Sequence, residues 1–423
     1  MTNAPLKQDI QIATPNREQE MPKVSIITPN YNHAQYVGDA IRSVLAQDYQ
    51  NFEMLIIDDG STDNSREVVA QFTDDRIKYI WQENKGLSAA RNTGINIAKG
   101  ELIGLLDADD IYETDFLSTL VSILTTNPEL DGITCGYQFV DHGNKPLYQR
   151  EARLIEPSQF YEALISGNFL VPESMLAHRY CYEAVGPYDE TLRACEDWDI
   201  WLKMTHKFKI GSTDKILNRH RVLPGSMSSD PIRMLNNRIA VITKHFGPEP
   251  MDASEGTEIQ RRAYGYAYLT TIVEYLQYHH LDRAYECLLK MVTIYPELLK
   301  RYETFYELGF GDQPKGSRGD FSTLNVTKNA ENLFGLLDKL FDDPQISPEL
   351  RKKKQQVYAQ AYFALGMLSY GARETQAAKK FLTKAVFTDP EYSFNRQLVT
   401  TLAKSFLSPQ LINQLSSQQR RTV

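Results

Sequence analysis

From Lys23 to Leu106, short apolar runs alternate with longer stretches whose apolar residues recur at helical spacing. The runs VSIIT, FEMLIID, IKYIWQ and LIGLL predict strands, and the stretches between them predict helices from about Gln35 to Gln47, Ser65 to Phe72 and Ala89 to Lys99. Strands without a polar face must be covered on both sides, and short strand–helix–strand connections join parallel neighbours. The pattern therefore predicts an α/β unit built on a mostly parallel sheet with helices on both faces. Farther along, GITCGYQFV and SMLAHRY predict further strands and QFYEALISGNF another helix.

The flanks behave differently. Residues 1–20 are polar, carry Pro5 and Pro15, and are expected to be disordered. Residues 21–247 form the expected α/β domain, and 248–260, with Pro248, Pro250 and Gly256, a linker. Residues 261–423 turn helical and tyrosine-rich. There Tyr362, Leu365, Gly366, Ala378, Ala385 and Pro390 fall at spacings resembling a tetratricopeptide repeat, with a weaker copy at Tyr268, Tyr275, Ala284 and Pro296. The copies are out of register and Gly309 to Gly319 interrupts them, which argues against a continuous array. This part is expected either to recruit a protein partner or a second copy of the chain, or simply to cover the α/β domain.

Composition narrows the class. The 423 residues suffice for two or three domains, and 46 Lys plus Arg against 54 Asp plus Glu, a formal net charge of −8, argue against nucleic acid as a partner. Cys135, Cys181, Cys195 and Cys287 lie far apart, which suits a reducing cytoplasm better than a disulfide framework or zinc site. No apolar run has the roughly 18 residues of a transmembrane segment. The basic run Arg351 to Gln356 follows a helix start at Ser347 and Pro348; it reads first as a solvated face and second as a peripheral contact with anionic lipid at the inner membrane face.

The candidate chemistry lies where the strands end. Open parallel sheets gather ligands beyond the carboxyl ends of their strands. TPNYN (28–32), DDGSTDNS (58–65) and DADD (107–110) all open there, and the helix beginning near Ser88, its expected cap, brings Arg91 to the same crevice. Crowded carboxylates such as Asp107, Asp109 and Asp110 repel one another unless they find a cation, and Mg²⁺ or Mn²⁺ accepts one or two carboxylates while leaving positions for phosphate. The competing reading is a solvated turn in which Asp109 or Asp110 caps the next helix.

The stretches VSIITPNYNHAQYVGDAIRSVLAQDYQNFEMLIIDDGSTDNS, ENKGLSAARNTGINIAKGELIGLLDADD and GPYDETLRACEDWDIWLKM resemble family 2 glycosyltransferases of the GT-A fold, over about Met21 to Phe246. The resemblance implies an inverting, hexosyl-transferring enzyme that moves a sugar from a nucleotide-sugar donor, most often a UDP-sugar, to a hydroxyl of a glycan, lipid-linked or protein acceptor. It puts Pro29, Tyr31, Asp58 and Asp59 around the donor's base and ribose, and gives Arg91 a nucleotide contact. Asp107 falls at the ribose or the metal and Asp109 at the metal, matching the family's D-x-D. The Glu196–Asp197 pair implies Asp197 as the base, with Trp198, Ile200, Trp201, Leu202 and Met204 as the packed side of its helix. In the stretch NRHRVLPGSMS, Leu223 stands where many relatives have a loop histidine; His220 is a candidate replacement and Arg221 a phosphate contact, on a loop that suits a flexible lid.

Processive synthases of this fold carry Q-x-x-R-W and membrane helices; their absence here predicts addition of one or a few sugars, in assembly of a surface polysaccharide, glycolipid or glycoprotein. A rival reading is a helical-repeat scaffold with a catalytically degenerate nucleotide-sugar domain. A second, a nucleotidyltransferase, would need a glycine-rich basic signature at the first strand, which ITPNYNH lacks.

Overall fold

The computed structural model describes residues 23–150 and 153–405; the N-terminal segment 1–20 lies outside them. The α/β alternation is present as β1 (Val24–Asn30), α1 (Val37–Leu45), β2 (Phe52–Asp59), α2 (Ser65–Val69), β3 (Ile77–Gln82), α3 (Leu87–Ile97) and β4 (Leu102–Leu105). Then follow β5 (Ile111–Tyr112), α4 (Phe116–Thr126), β6 (Gly132–Val140), β7 (Pro146–Arg150), α5 (Phe160–Ile165), β8 (Met175–His178), α6 (Arg179–Val185), α7 (Glu196–Lys207), β9 (Ile210–Arg221) and α8 (Pro231–Phe246).

These strands form one sheet of order β3-β2-β1-β4-β8-β6-β9-β5, with β7 added beside β6. The first four are parallel. Beyond β4 the sheet is mixed: β8 runs antiparallel to both β4 and β6, whereas β6 and β9 are parallel. Every residue of β1 and β2 is buried, which is why these strands carry continuous apolar runs with no polar face. Helix α3 lies close against β1 because Gly94 has no side chain: a methyl added there would overlap the branched side chain of Ile27. Gly94→Ala should push α3 outward and cost about 1–3 kcal/mol, read from the denaturant midpoint.

The C-terminal helices are α9 (Glu258–Gln277), α10 (Leu281–Ile294), α11 (Tyr302–Leu308), α12 (Val326–Asp342), α13 (Pro348–Lys352), α14 (Lys354–Gly371), α15 (Thr375–Thr388) and α16 (Arg396–Ser405). Thr257 and Gln260 close α9 with a capping box, and the Ser347 side chain accepts from the Leu350 N–H at 3.1 Å to cap α13. Helices α14 and α15 approach through Gly366, where an added methyl would meet Leu382 at 2.5 Å. Helix α8 joins the two parts of the chain. Its Arg238 donates to Glu274 of α9 at 2.7 Å, and one buried apolar cluster runs from Ile27 and Leu55 of the sheet through Trp201 and Tyr264 to Leu365. No helix among the described residues is long and apolar enough to cross a membrane.

Candidate active site

At the carboxyl edge of the parallel strands, the first polar residues knit the loops together. Asp58, fully buried, accepts from the Ser61 N–H at 2.7 Å and from Asn30 Nδ2 at 3.1 Å. Its neighbour Asp59 accepts from Gln82 Nε2 at 2.7 Å and from the backbone N–H groups of Lys85 and Gly86 at 3.0 and 2.7 Å. Asp58 thus shapes the β2–α2 turn, and Asp59 fixes the entry into α3. Gly86, at φ +96°, precedes that helix. Ser88 does not cap it, and its hydroxyl is buried without a partner among the described residues. Pro29 is buried within β1 opposite Ile57, because the strand continues two residues past its expected end at Thr28. Tyr31, by contrast, is 48% exposed at the rim.

Arg91 lies within α3. It is completely buried; Nη2 donates to both oxygens of Asp107, at 2.8 and 3.1 Å, and Nη1 to Glu196 Oε1 at 2.5 Å. Its guanidinium also sits 5.6 Å from the centre of the Tyr188 ring. With Nη1 and Nη2 each held by a carboxylate, the side chain ties the D-x-D turn to the start of α7, while its buried Nε has no partner among the described residues.

That link decides among the three acids of α7. Asp199 is fully buried and bonded to Lys203 at 2.6 Å, Lys244 at 3.1 Å and His245 at 2.7 Å, which together hold its carboxyl well below the usual range. Glu196 is taken by Arg91. Asp197 makes no ion pair among the described residues; it accepts from Asn168 Nδ2 and from the Trp198 N–H, both at 2.7 Å. Burial and the neighbouring Glu196 push it up to about 7, against the opposing pull of Arg91. Behind it Trp198, Ile200, Trp201, Leu202 and Met204 are buried, so the helix start is firmly seated.

In the DADD turn, Asp109 has no hydrogen-bond partner among the described residues. Burial and the charges of Asp110 and Asp107 push it up to about 7, with His33 and His220 opposing. Neither Asp109 nor Asp110 caps α4, whose N-cap is Asp115. Asp110 instead accepts from the Arg221 N–H at 2.7 Å and faces His220 Nδ1 at 3.1 Å, and Glu173 faces the same nitrogen at 2.7 Å. Asp110, Glu173 and His220 form the one group of potential metal ligands of three or more converging within 4.8 Å among the described residues. Burial draws the imidazole down, but the Asp110 and Glu173 carboxylates outweigh it and hold it well above its ordinary range. His220 turns inward, with Asp110 and Glu173 both against its Nδ1. Arg221 packs 4.6 Å from the Tyr36 ring centre and donates to Asp39 at 3.2 Å, while its buried Nε and Nη1 have no partner among the described residues.

The structure therefore gathers Asp107, Asp109, Arg91 and the Glu196–Asp197 pair into one connected set. Asp110, Glu173 and Asn168 complete it. Glu173 and Asn168 lie far from the recognisable motifs in sequence, and only the antiparallel β8 and the turn after α5 bring them in.

The model of "Glycosyl transferase family 2" matches residues 25–186. An uncharacterized glycosyltransferase of Rickettsia typhi is 32% identical over 228 residues, covering 51% of this chain and 68% of that protein. One from a Nostoc species is 37% identical over 187 residues, covering 42% and 56%. Among solved structures, S. aureus TarS (residues 1–349) covers 86% of this chain and 91% of its own at 15% identity and a TM-score of 0.42. A Pyrobaculum calidifontis mannosyltransferase with GDP-Man and Mn²⁺ covers 84% and 88% at 17% identity and a TM-score of 0.47. The sheet, with its parallel half, mixed extension and acidic turn after β4, is a GT-A-like α/β domain followed by a helix-rich region, and the chain is a glycosyltransferase enzyme belonging to glycosyl transferase family 2.

Proposed function

We propose that this enzyme transfers a sugar, with inversion, from a nucleoside-diphosphate sugar to an acceptor hydroxyl, and that Asp197 is the base. The observation carrying this reading is that Asp197 alone of the three acids at the start of α7 lacks a cation, yet is tied through Glu196 and Arg91 to the D-x-D turn. In the step, the acceptor oxygen bonds to the anomeric carbon as the bond from that carbon to the diphosphate breaks. The bonding pair leaves on the diphosphate oxygen, and the acceptor's proton passes to Asp197. In this reading Tyr31, exposed at the rim, stacks on the base, and the Arg221 Nε and Nη1 groups, without partners among the described residues, serve the phosphate. Asp58, Asp59 and Pro29 act by shaping the loops that hold the base and ribose.

The acidic turn fits a divalent cation. Asp109 is an unpartnered carboxylate among like charges, and two carboxylates with diphosphate oxygens suit Mn²⁺ or Mg²⁺. Asp109 would hold the ion, with Asp107 beside it; bound there, the ion would offset the charge of the departing diphosphate. The Asp110–His220–Glu173 trio is read as an ion-pair network that orients β9 and Arg221. Titrating Mn²⁺ in the presence of a nucleoside diphosphate tests the assignment: Asp109→Asn should abolish the metal response, and His220→Gln should retain it. The reverse pattern would move the ion to the trio.

The proposed domains are 21–247 for transfer and 261–423 for the helical, tetratricopeptide-like part, joined by 248–260. The continuous apolar cluster supports the helical part as a cover for the catalytic domain. UDP-sugars head the donors to test, and the proposed setting is non-processive transfer to a surface polysaccharide, glycolipid or glycoprotein at a cytoplasmic site. Incubation with a panel of UDP-, GDP- and dTDP-sugars, with nuclear magnetic resonance of the product's anomeric centre, checks donor and stereochemistry together. Retention of configuration would eliminate the single-displacement reading.

A further inference from the structure

The loop between α11 and α12 belongs to the helical region, yet it reaches back to the strand end that carries Arg221. Gly316, at φ +88°, seats its backbone so tightly that an added methyl would meet Leu147 at 2.9 Å and Val222 at 3.0 Å. Beside it, Lys315 Nζ donates to Ser228 Oγ in the loop that follows β9. The segment is internally braced: Gln313 Nε2 donates to the Asp320 carbonyl at 2.6 Å and to Thr323 Oγ1 at 2.9 Å, and Asn329 Nδ2 to Asp312 at 2.6 Å. Lys315 makes no ion pair among the described residues. Burial draws its ammonium below the usual lysine range, although Glu274, Asp110 and Glu173 are near enough to oppose the shift and Arg238 adds to it. A partly buried cation with only a hydroxyl for a partner is costly unless an anion completes it.

Resting on the donor-site reading above, we propose that Lys315 is a catalytic residue supplied by the helical region, whose ammonium contacts the diphosphate of the donor and stabilises its charge as it leaves. Three observations converge on that role. Lys315 is bonded to the loop that would close over the diphosphate. Its neighbour Gly316 packs on Val222, the residue after Arg221, whose buried Nε and Nη1 have no partner among the described residues. And Leu223, in that same loop, has no polar group to offer. As the sugar–oxygen bond breaks, the electron pair moves onto the diphosphate oxygen, and a fixed cation in a site of low polarity favours that charge without reorganising.

Calorimetry on the full chain with Mn²⁺, comparing UDP with UMP and GDP with GMP, tests this. For the base the wild-type chain prefers, Lys315→Met should weaken the diphosphate by about 10- to 100-fold while leaving the monophosphate within about twofold. Lys315→Arg should recover most of the loss, and kcat should follow the diphosphate affinity. Ser228→Ala, which removes the hydroxyl but keeps the charge, should cost less than Lys315→Met. Equal weakening of diphosphate and monophosphate would reveal a merely structural loop contact and overturn the proposal, as would an unchanged ratio. Failure of the wild-type chain to bind any of these nucleotides would instead overturn the donor-site reading, and the lysine's role with it.

Discussion

Asp197→Asn should lower sugar transfer by roughly 10²- to 10⁴-fold while leaving nucleotide affinity and melting temperature near their wild-type values. The amide preserves the shape of the side chain and its single oxygen can still accept from the Trp198 N–H, while the bond from Asn168 to the second carboxylate oxygen is lost. That exposed bond contributes little to stability, so the main loss is the capacity to take a proton. The same assignment fixes the direction of the pH profile. A carboxyl pushed up to about 7 is the competent, ionised base only above that pH. Wild-type kcat/KM should therefore fall as pH drops through about 7, and the residual activity of Asp197→Asn should lack that inflection. A variant that turns over normally, or keeps the same acid limb, would remove Asp197 from the reaction.

How much of this was legible in sequence follows from which interactions are local. The buried strands and their helices announce themselves through continuous apolar runs and helical spacing, so β1 to β4 fall within a residue or two of their expected bounds. The acidic turn and the start of α7 were legible because several polar residues sit together. The direction of a side chain was not. Nothing near Arg91 in sequence indicates that its fork would be filled by Asp107 and Glu196, the latter 105 positions away. Ser88 is not the cap because α3 starts two residues earlier than Ala89, behind Gly86, and its entry is held by Asp59 instead. His220 looked like a replacement for a loop histidine, but β9 keeps its strand geometry through Arg221 and turns the ring toward Asp110 and Glu173. Glu173, on a short turn before β8, had only its charge to distinguish it.

Arg91→Met should be among the most destabilising single substitutions in the α/β domain, by about 3–5 kcal/mol, because it leaves two carboxylates facing each other without their shared cation. Glu196 is almost entirely buried, whereas about a quarter of the Asp107 side chain, 23%, remains exposed and can regain water, which favours the lower end of that range. Denaturant midpoints measure the loss. Arg91→Lys should fall between, since one ammonium cannot span both partners as the guanidinium fork does. The substitution also has a chemical signature separate from stability. Arg91 opposes the upward push on Asp197, so its removal should shift the acid limb of the rate profile to higher pH, even at temperatures where the variant remains folded. Lower stability with an unmoved limb would mean that Arg91 braces the D-x-D turn and α7 without influencing the base. An upward-moved limb would make this buried pair the route by which the acidic turn sets the ionisation of the residue that accepts the proton.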